Sequence, residues 1–195
     1  MRLFVGIFPD EGLKKHLRSV ISDLQGFNKY LRFVPIDQIH LTVKFLGNDI
    51  SEDTYQEYAT QFERKLEAFS EFEIIPAELS FGFKYQLRPK VLILNVDENP
   101  LLEELTQAAT DAAKSINPRD IISKKEHKKL IHHITVGRPK HVPSKSESNR
   151  IKEKISTLEI YTQPFKANTI SLIQSILTSH GPIYKVIKNY PLKTQ

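Results

Sequence analysis

Apolar and polar residues alternate in blocks along this chain, and the blocks predict strands and helices in turn. Leu3 to Phe8 is a short apolar run with the length of a buried strand. Asp10 and Glu11 follow, and apolar residues then recur at helical spacing up to Gly26, which predicts a first helix. The apolar positions of this helix are Leu13, Leu17, Val20, Ile21 and Leu24.

The next block predicts extended segments on either side of a second helix. Leu31 to Pro35 is a brief extended piece, and Ile39 to Leu46 has the β-branched and apolar content of a strand. Ser51, followed by two acidic residues, predicts the start of a helix. Phe72 to Phe83 predicts a strand that Pro76 interrupts.

The second half of the chain repeats this order. Val91 to Val96 predicts a strand, and a helix follows Pro100. The expected buried face of that helix comprises Leu101, Leu102, Leu105, Ala108, Ala109 and Ala112. Leu130 to Arg138 predicts another strand. One more helix and two strands are expected at about 146–158, 165–177 and 183–187.

The two halves share their spacing as well as their order. The distance from His40 to Val91 is 51 residues, and the distance from His133 to Tyr184 is also 51 residues. The sequence therefore predicts one bilobal domain over residues 1–195, built from an internal repeat of about 93 residues. We expect an α+β fold.

Composition narrows the class of protein. With 39% apolar and 26% charged residues in 195, the chain has the make-up of a soluble globular protein. Its net charge of +5 fits a polyanionic partner without requiring one. The absence of cysteine excludes disulfides, thiolate metal sites and cysteine nucleophiles. The apolar N-terminal run is too short for a signal peptide or a membrane span, so we expect a cytoplasmic protein with no membrane association.

Two four-residue segments carry the same pattern, a histidine followed two residues later by a threonine. They read His-Leu-Thr-Val from His40 and His-Ile-Thr-Val from His133. Because side chains alternate along a strand, His40 and Thr42 share one face about 7 Å apart, as do His133 and Thr135. If the halves are related by a pseudo-twofold axis, the two pairs converge on one cleft.

Two imidazoles beside two hydroxyls suit acid–base chemistry on an anion. Cleavage of a phosphate ester needs one group to take a proton from water and another to give one to the departing oxygen. Two histidines can do both without a metal when one is neutral and the other is charged. The threonine hydroxyls can donate hydrogen bonds to the non-bridging oxygens. A single histidine on a strand is usually structural, and the paired occurrence is what favours catalysis.

Arg138 adds a permanent cation whose forked donors suit phosphate. It follows His133 at an odd offset, so on a straight strand it would face away from the site, and a bulge permitted by Gly137 is needed to turn it. Phe45 stands at the matching position of the first motif, which predicts an asymmetric site. Lys44 is expected on the same face as His40, at the rim of the site or assisting it.

Other chemistries lack the residues they need. Neither motif has further ligands at zinc spacing, the strands offer no acidic pair for magnesium, and no phosphate-binding glycine loop is present. We expect no cofactor and no metal. The remaining histidines predict surface, capping or packing roles: His16, His127, His132, His141 and His180. The basic run at 124–129 predicts a solvated connection, with contact to a polyanion as the alternative.

The two motifs and their surroundings resemble the two-histidine phosphoesterase superfamily, specifically the RNA 2′,3′-cyclic phosphodiesterases once named 2′-5′ RNA ligases. The resemblance covers nearly the whole chain. It is carried by Arg2–Ile7, Arg32–Pro35, His40–Gly47, Arg88–Leu92, His133–Arg138, Ser171–Ile173, Leu177–Thr178 and Gly181–Tyr184.

The resemblance implies a bilobal fold with two antiparallel sheets flanked by helices around a basic central groove. It also implies hydrolysis of an RNA 2′,3′-cyclic phosphate to a 2′-phosphomonoester without a metal or nucleotide cofactor. In that reaction His40 would protonate the leaving 3′ oxygen and His133 would activate water. Thr42, Thr135 and Arg138 would hold the phosphate.

Several alternatives stay open at this stage. The same groove could act on small cyclic nucleotides or sugar cyclic phosphates, could join RNA ends, or could bind an RNA end without turnover. Phe8, Phe83 and Tyr85 could stack on a base, although core packing is the commoner role for the two phenylalanines. We expect a monomer.

Overall fold

The structure is a computed structural model of the chain, and it describes residues 1–83, 86, 88–114, 116, 131–160, 163–179 and 181–194. Some predictions fall outside this part of the chain. They concern the basic run at 124–129, the strand residue Leu130, and the side chains of Tyr85, His127 and His180.

Ten strands and four α-helices form within the described residues, in the order that the blocks of apolar residues predict. The helices are α1 (Glu11–Asp23), α2 (Glu52–Leu66), α3 (Pro100–Lys114) and α4 (Lys145–Ser156). The strands are β1 (Leu3–Ile7), β2 (Leu31–Phe33), β3 (Leu41–Gly47), β4 (Phe72–Ile74), β5 (Pro76–Phe81), β6 (Leu92–Val96), β7 (His133–Pro139), β8 (Phe165–Ala167), β9 (Thr169–Thr178) and β10 (Gly181–Pro191).

Eight of these strands form one antiparallel sheet, in the order β10–β9–β1–β3–β7–β6–β5, with β2 beside β7. We call β3, β1, β9 and β10 the first arm, and β7, β6, β5 and β2 the second arm. The arms meet between β3 and β7 through a single pair, Leu41 with Ile134. The α+β class is confirmed. The two antiparallel sheets that the resemblance implies are the two arms of one continuous curled sheet. A separate two-stranded sheet pairs β4 with β8.

The arms exchange strands between the halves of the chain. Outward from the centre, the first arm runs β3, β1, β9 and the second runs β7, β6, β5. Strand β9 belongs to the second half of the chain but pairs with β1, and β5 belongs to the first half but pairs with β6. The break at Ile75 makes this possible, because β4 leaves for the small sheet before β5 joins the large one.

Each helix begins at a side chain that accepts a hydrogen bond from an otherwise unpaired backbone N–H. Asp10 caps α1, Ser51 caps α2 and Asn99 caps α3 ahead of its first-position proline. The cap of α4 is Ser144, which forms a reciprocal capping box with Glu147. This helix therefore begins one residue earlier than the sequence pattern predicts.

The core lies between the sheet and the helices. Helix α2 packs on α3, which packs on β3, and Tyr58 and Phe62 of α2 are fully buried. The predicted buried face of α3 is confirmed at Leu102, Leu105, Ala109 and Ala112. It is wrong at Leu101, whose side chain is 40% exposed, and at Ala108, which is only half-buried. No helix in the described part of the chain is both long enough and apolar enough to cross a membrane.

Candidate active site

The Leu41–Ile134 pair brings the two histidine motifs together. Both of these side chains are fully buried on the face of the sheet that carries the helices. Because neighbouring residues alternate faces, the histidines and threonines project from the opposite face. Extending the antiparallel register places His40 beside Thr135 and His133 beside Thr42. The four groups therefore surround one hollow, about 5 Å across the strands and about 7 Å along them.

Both imidazoles are held in the same tautomer. His40 Nδ1 lies 2.8 Å from the carbonyl oxygen of Gln38, and His133 Nδ1 lies 2.7 Å from that of Ile131. A carbonyl oxygen can only accept, so Nδ1 carries the proton in each ring. The lone pair of a neutral ring is then on Nε2, the atom that remains to exchange protons with a ligand.

Equivalent bulges interrupt both motif strands after the threonine. In the first arm Gly6 pairs with Thr42 and Val5 with Lys44, which leaves Val43 as the extra residue. In the second arm Ile93 pairs with Thr135 and Leu92 with Gly137, which leaves Val136 as the extra residue. An extra residue reverses the alternation of side chains, so the residues beyond it change face.

The bulges decide which later residues reach the hollow. Arg138 lines the same cavity as the two motifs, as the proposed bulge requires, and Phe45 occupies the equivalent place in the first arm. The prediction for Lys44 is wrong. It pairs with the buried Val5, on the helix-bearing face, and the Lys114 ammonium of α3 is close enough to lower its pKa in addition to the larger effect of burial.

Gly137 is required by the close approach of β2. A Cβ at this position would lie 3.2 Å from the carbonyl oxygen of Arg32, a backbone atom that cannot move aside easily. Among the described residues, no strand takes the equivalent place in the first arm, and Lys44 is accommodated there.

The two histidines differ in their surroundings. The His40 ring lies 4.7 Å from the centres of both Phe4 and Tyr184 and 6.2 Å from that of Phe8. His133 contacts the ring of Phe83 at 5.0 Å.

On the other side of His133, its partner on β6 is the polar Asn95, which donates to Ser80 Oγ at 2.9 Å. His40 is therefore in a drier environment than His133. Phe8 and Phe83, the candidates for base stacking, pack against the two histidine rings, and a stacking role for them stays a prediction.

This environment makes both imidazoles neutral near pH 7. Burial lowers the pKa of His40 to about 4, with its bond to Gln38 opposing the change and the charges of Arg138 and His133 adding to it. Burial also lowers the pKa of His133, against the effect of its bond to Ile131, and Arg138 lowers it further. An anion bound in the hollow would favour the charged form of both rings.

The hollow opens into a cavity of about 950 Å³. All five residues that the sequence singles out for the site line it: His40, Thr42, His133, Thr135 and Arg138. Their roles in a reaction stay predictions. Thr42 and Thr135 are half-buried and Arg138 is exposed.

The other described histidines lie outside this cavity. His132, the residue before β7, turns toward α3, where Thr106 Oγ1 accepts a hydrogen bond from its Nε2 at 2.9 Å. This contact confirms the expected structural role. His141 is exposed and contacts Glu147. Within the described residues, no three His, Cys, Asp or Glu side chains come together as metal ligands would.

Comparison with known proteins identifies the family. A profile of LigT-like phosphoesterases matches residues 96–184. An RNA 2′,3′-cyclic phosphodiesterase of Aquifex aeolicus is 30% identical in an alignment that covers 98% of this chain and 97% of that protein. The chain belongs to the LigT-like phosphoesterase family. Another RNA 2′,3′-cyclic phosphodiesterase, from Thermotoga maritima, is 29% identical over 96% of this chain and 93% of its own length.

Solved structures share the fold of this LigT-like phosphoesterase. A protein of Thermus thermophilus superposes with a TM-score of 0.80 at 21% identity, with full coverage of both chains. Escherichia coli LigT in complex with 3′-AMP superposes with a TM-score of 0.71 at 17% identity, over 98% of this chain and 97% of that one.

Sequence reasoning did not assign site roles to several residues of this LigT-like phosphoesterase. Tyr184, Phe4 and Arg2 all line the cavity, and the Arg2 guanidinium carbon lies 4.4 Å from the centre of the Phe45 ring. Tyr184 reaches the site because β10 pairs with β9, a contact that no local pattern reveals. The resemblance at Gly181–Tyr184 was the one available signal.

Proposed function

We propose that this protein hydrolyses the 2′,3′-cyclic phosphate ends of RNA to 2′-phosphomonoesters by acid–base catalysis at His40 and His133. The proposal rests above all on the two imidazoles, which share one hollow and keep their Nε2 atoms for a ligand. The relatives named RNA 2′,3′-cyclic phosphodiesterase support the choice of substrate. The 3′-AMP complex of E. coli LigT supports a site of nucleotide size in this fold.

His133 is the proposed base. Its neutral Nε2 takes a proton from a water molecule as the oxygen of that water attacks phosphorus. The base must contact the attacking water. His133 suits this role because its register partner, Asn95, and the neighbouring Ser80 make its surroundings polar. The hydrogen bond from Nδ1 to Ile131 stabilises the imidazolium that forms.

His40 is the proposed acid. As the bond between phosphorus and the 3′ oxygen breaks, the His40 imidazolium gives its Nε2 proton to that oxygen, and the ring returns to its neutral form. The phosphate is left on the 2′ oxygen. Because His40 is neutral in the free protein near pH 7, it gains its proton together with the anionic substrate. Its low pKa makes it a strong proton donor, and the Phe4 ring at 4.7 Å partly compensates the charge.

Thr42, Thr135 and Arg138 are proposed to hold the phosphate. Each threonine stands beside the histidine of the other motif, so its hydroxyl can donate to a non-bridging oxygen while that histidine handles the proton. Arg138 can donate two parallel hydrogen bonds to the same group. We also propose that two imidazoles are sufficient without a metal, and that the protein acts as a monomer in the cytoplasm.

Turnover of a defined RNA end tests the proposal. The protein, treated with a chelator, should convert an oligonucleotide that ends in a 2′,3′-cyclic phosphate to the 2′-monoester. His40→Ala and His133→Ala should each reduce kcat by about 100-fold or more, the usual contribution of a general acid or base. His141→Ala is the matched control, because His141 is exposed and lies outside the cavity.

The other outcomes distinguish the competing functions. Binding of the RNA end without turnover would make the protein a binding module and contradict the proposal. Turnover of cyclic mononucleotides alone would contradict RNA as the substrate and would leave the acid–base mechanism standing. Activity that disappears with the chelator and returns with a divalent cation would contradict metal-independent catalysis. Formation of a 3′-monoester would reverse which oxygen leaves.

A further inference from the structure

The cavity carries more positive charge than one cyclic phosphate can neutralise. Four basic side chains line it, namely Arg2, Arg32, Arg138 and Lys140, and no Asp or Glu is among the described lining residues. A cyclic phosphodiester carries a single negative charge. The volume of about 950 Å³ lies near the upper end of ligand pockets, and it exceeds what the hollow between the four motif residues requires.

Arg32 is placed for a second anion. It is the direct register partner of Arg138 across the antiparallel pair β2–β7, and both residues line the cavity. Like charges directly opposite each other on paired strands are destabilising. An anion beside the two guanidinium groups would offset the repulsion between them.

The position of the Arg32 head group separates it from the reacting hollow. A Cβ built on Gly181 would lie 3.8 Å from Arg32 Nη1, so the guanidinium reaches from the second arm to the β9–β10 hairpin of the first. Arg2 is held within its own arm by the ring of Phe45 and a hydrogen bond to Asn48. Arg32 therefore lies beside Arg138 and extends across the cavity to the opposite arm.

We propose that Arg32 binds the 5′ phosphate of the terminal nucleotide, which in an RNA chain is the phosphodiester that links it to the preceding nucleotide. This inference rests on the proposed function, because it assumes that the 2′,3′-cyclic phosphate occupies the hollow beside Arg138. Arg32 then determines specificity: it distinguishes the end of a chain from a free cyclic nucleoside phosphate.

Two substrates that differ by one phosphate test the proposal. They are adenosine 2′,3′-cyclic phosphate and the same compound with a 5′ phosphate. In the unmodified protein the 5′ phosphate should raise kcat/KM by about 10-fold or more, the size expected of a charge-assisted hydrogen bond. Arg32→Gln should abolish most of this advantage. Lys152→Gln removes the same charge from an exposed position of α4 outside the cavity and should preserve it.

A dinucleotide with a 2′,3′-cyclic end extends the test to a chain. Replacing its phosphodiester by an uncharged methylphosphonate should lower kcat/KM in the unmodified protein but have little further effect in Arg32→Gln. This non-additivity is the signature of a direct contact. Equal losses on all substrates in Arg32→Gln, or full additivity with the methylphosphonate, would overturn the proposal.

Direct binding separates failure of this inference from failure of the proposed function. Calorimetry would compare adenosine 2′-phosphate with adenosine 2′,5′-bisphosphate. If the protein turns over no cyclic phosphate but Arg32→Gln removes the preference for the bisphosphate, the proposed function fails and the Arg32 site stands. If turnover occurs and the bisphosphate has no advantage in the unmodified protein, the Arg32 site fails and the proposed function stands.

Discussion

The rings of Tyr184 and His40 meet edge to face, with 4.7 Å between their centres. Tyr184 therefore shields one side of an imidazole that Phe4 and Phe8 cover elsewhere. Since burial is the largest cause of the low pKa of His40, the tyrosine ring contributes directly to that low value.

Tyr184→Ala should raise the pKa of His40 from about 4 toward its usual value of 6.5, because water then reaches the ring. Tyr184→Phe keeps the ring and should leave the pKa of His40 nearly unchanged. Titration of the imidazole Cε1–H resonances by NMR measures both variants. Equal pKa values in the alanine and phenylalanine variants would show that the Tyr184 ring does not shield His40.

Arg138→Gln should raise the pKa of both histidines, because the guanidinium charge lowers each of them. The same substitution should reduce kcat/KM by about 100-fold, as loss of one preorganised donor to a developing charge does. The two readouts belong together. A pKa change without loss of activity would mean that Arg138 does not contact the phosphate.

The pH dependence of kcat/KM should be bell-shaped with its maximum below pH 6.5. This parameter reports the free protein, in which the pKa values of both His40 and His133 are lowered. The profile of kcat should shift to higher pH, because the bound anion favours the imidazolium form. A flat profile between about pH 5 and 8 would argue against two titrating imidazoles.

Stability should depend on pH through His40. Its pKa is about 4 in the folded protein and close to 6.5 in the unfolded chain. Above pH 6.5 both states are neutral and the contribution to stability is complete. Between pH 6.5 and 4 only the unfolded chain takes up the proton, so the free energy of unfolding falls, by at most about 3 kcal/mol.

Urea denaturation of the unmodified protein and of His40→Gln at pH 7 and pH 4.5 measures this effect. The glutamine variant should lose less stability between the two pH values. His141→Gln, at an exposed histidine, should behave like the unmodified protein. Identical pH dependence in all three proteins would contradict a buried neutral His40.

Leu41→Ala should destabilise the protein by about 2–5 kcal/mol, because it opens a cavity at the one pair that joins the arms. It should also lower activity, since this pair sets the distance between the two motifs. Leu101→Ala is the control, because Leu101 is 40% exposed, and it should lower the free energy of unfolding clearly less than Leu41→Ala does. Thermal unfolding and turnover measure both variants.

The periodicity of the sequence predicts the order of elements and the two motif strands, because strand and helix patterns are local. The arrangement of the site residues depends in addition on bulges and on contacts between strands that are distant in sequence. Gly137 indicates a bulge that turns Arg138, and the structure has that bulge with Val136 as the extra residue. The glycine itself is needed for a different reason, the close approach of the Arg32 carbonyl of β2. No glycine marks the equivalent bulge at Val43, so simple alternation predicts the wrong face for Lys44.

The aromatic wall around His40 was beyond local reasoning for a different reason. Phe4 and Tyr184 come from opposite ends of the chain, and they meet only because β1 and β10 both flank β9. The strand that contains Tyr184 has no clear alternation of apolar and polar residues that would single out this tyrosine. Only the resemblance to a family drew attention to the segment that contains it.

The exchange of β5 and β9 between the arms has a consequence for how the chain folds. We propose that residues 1–195 form one domain with an internal repeat, and each repeat lacks a strand that the other supplies. A fragment ending near residue 90 would have an open sheet edge beside β1, and we expect it to dimerise by intertwining or to aggregate. Expressed apart, the two fragments should regain a functional site only when mixed.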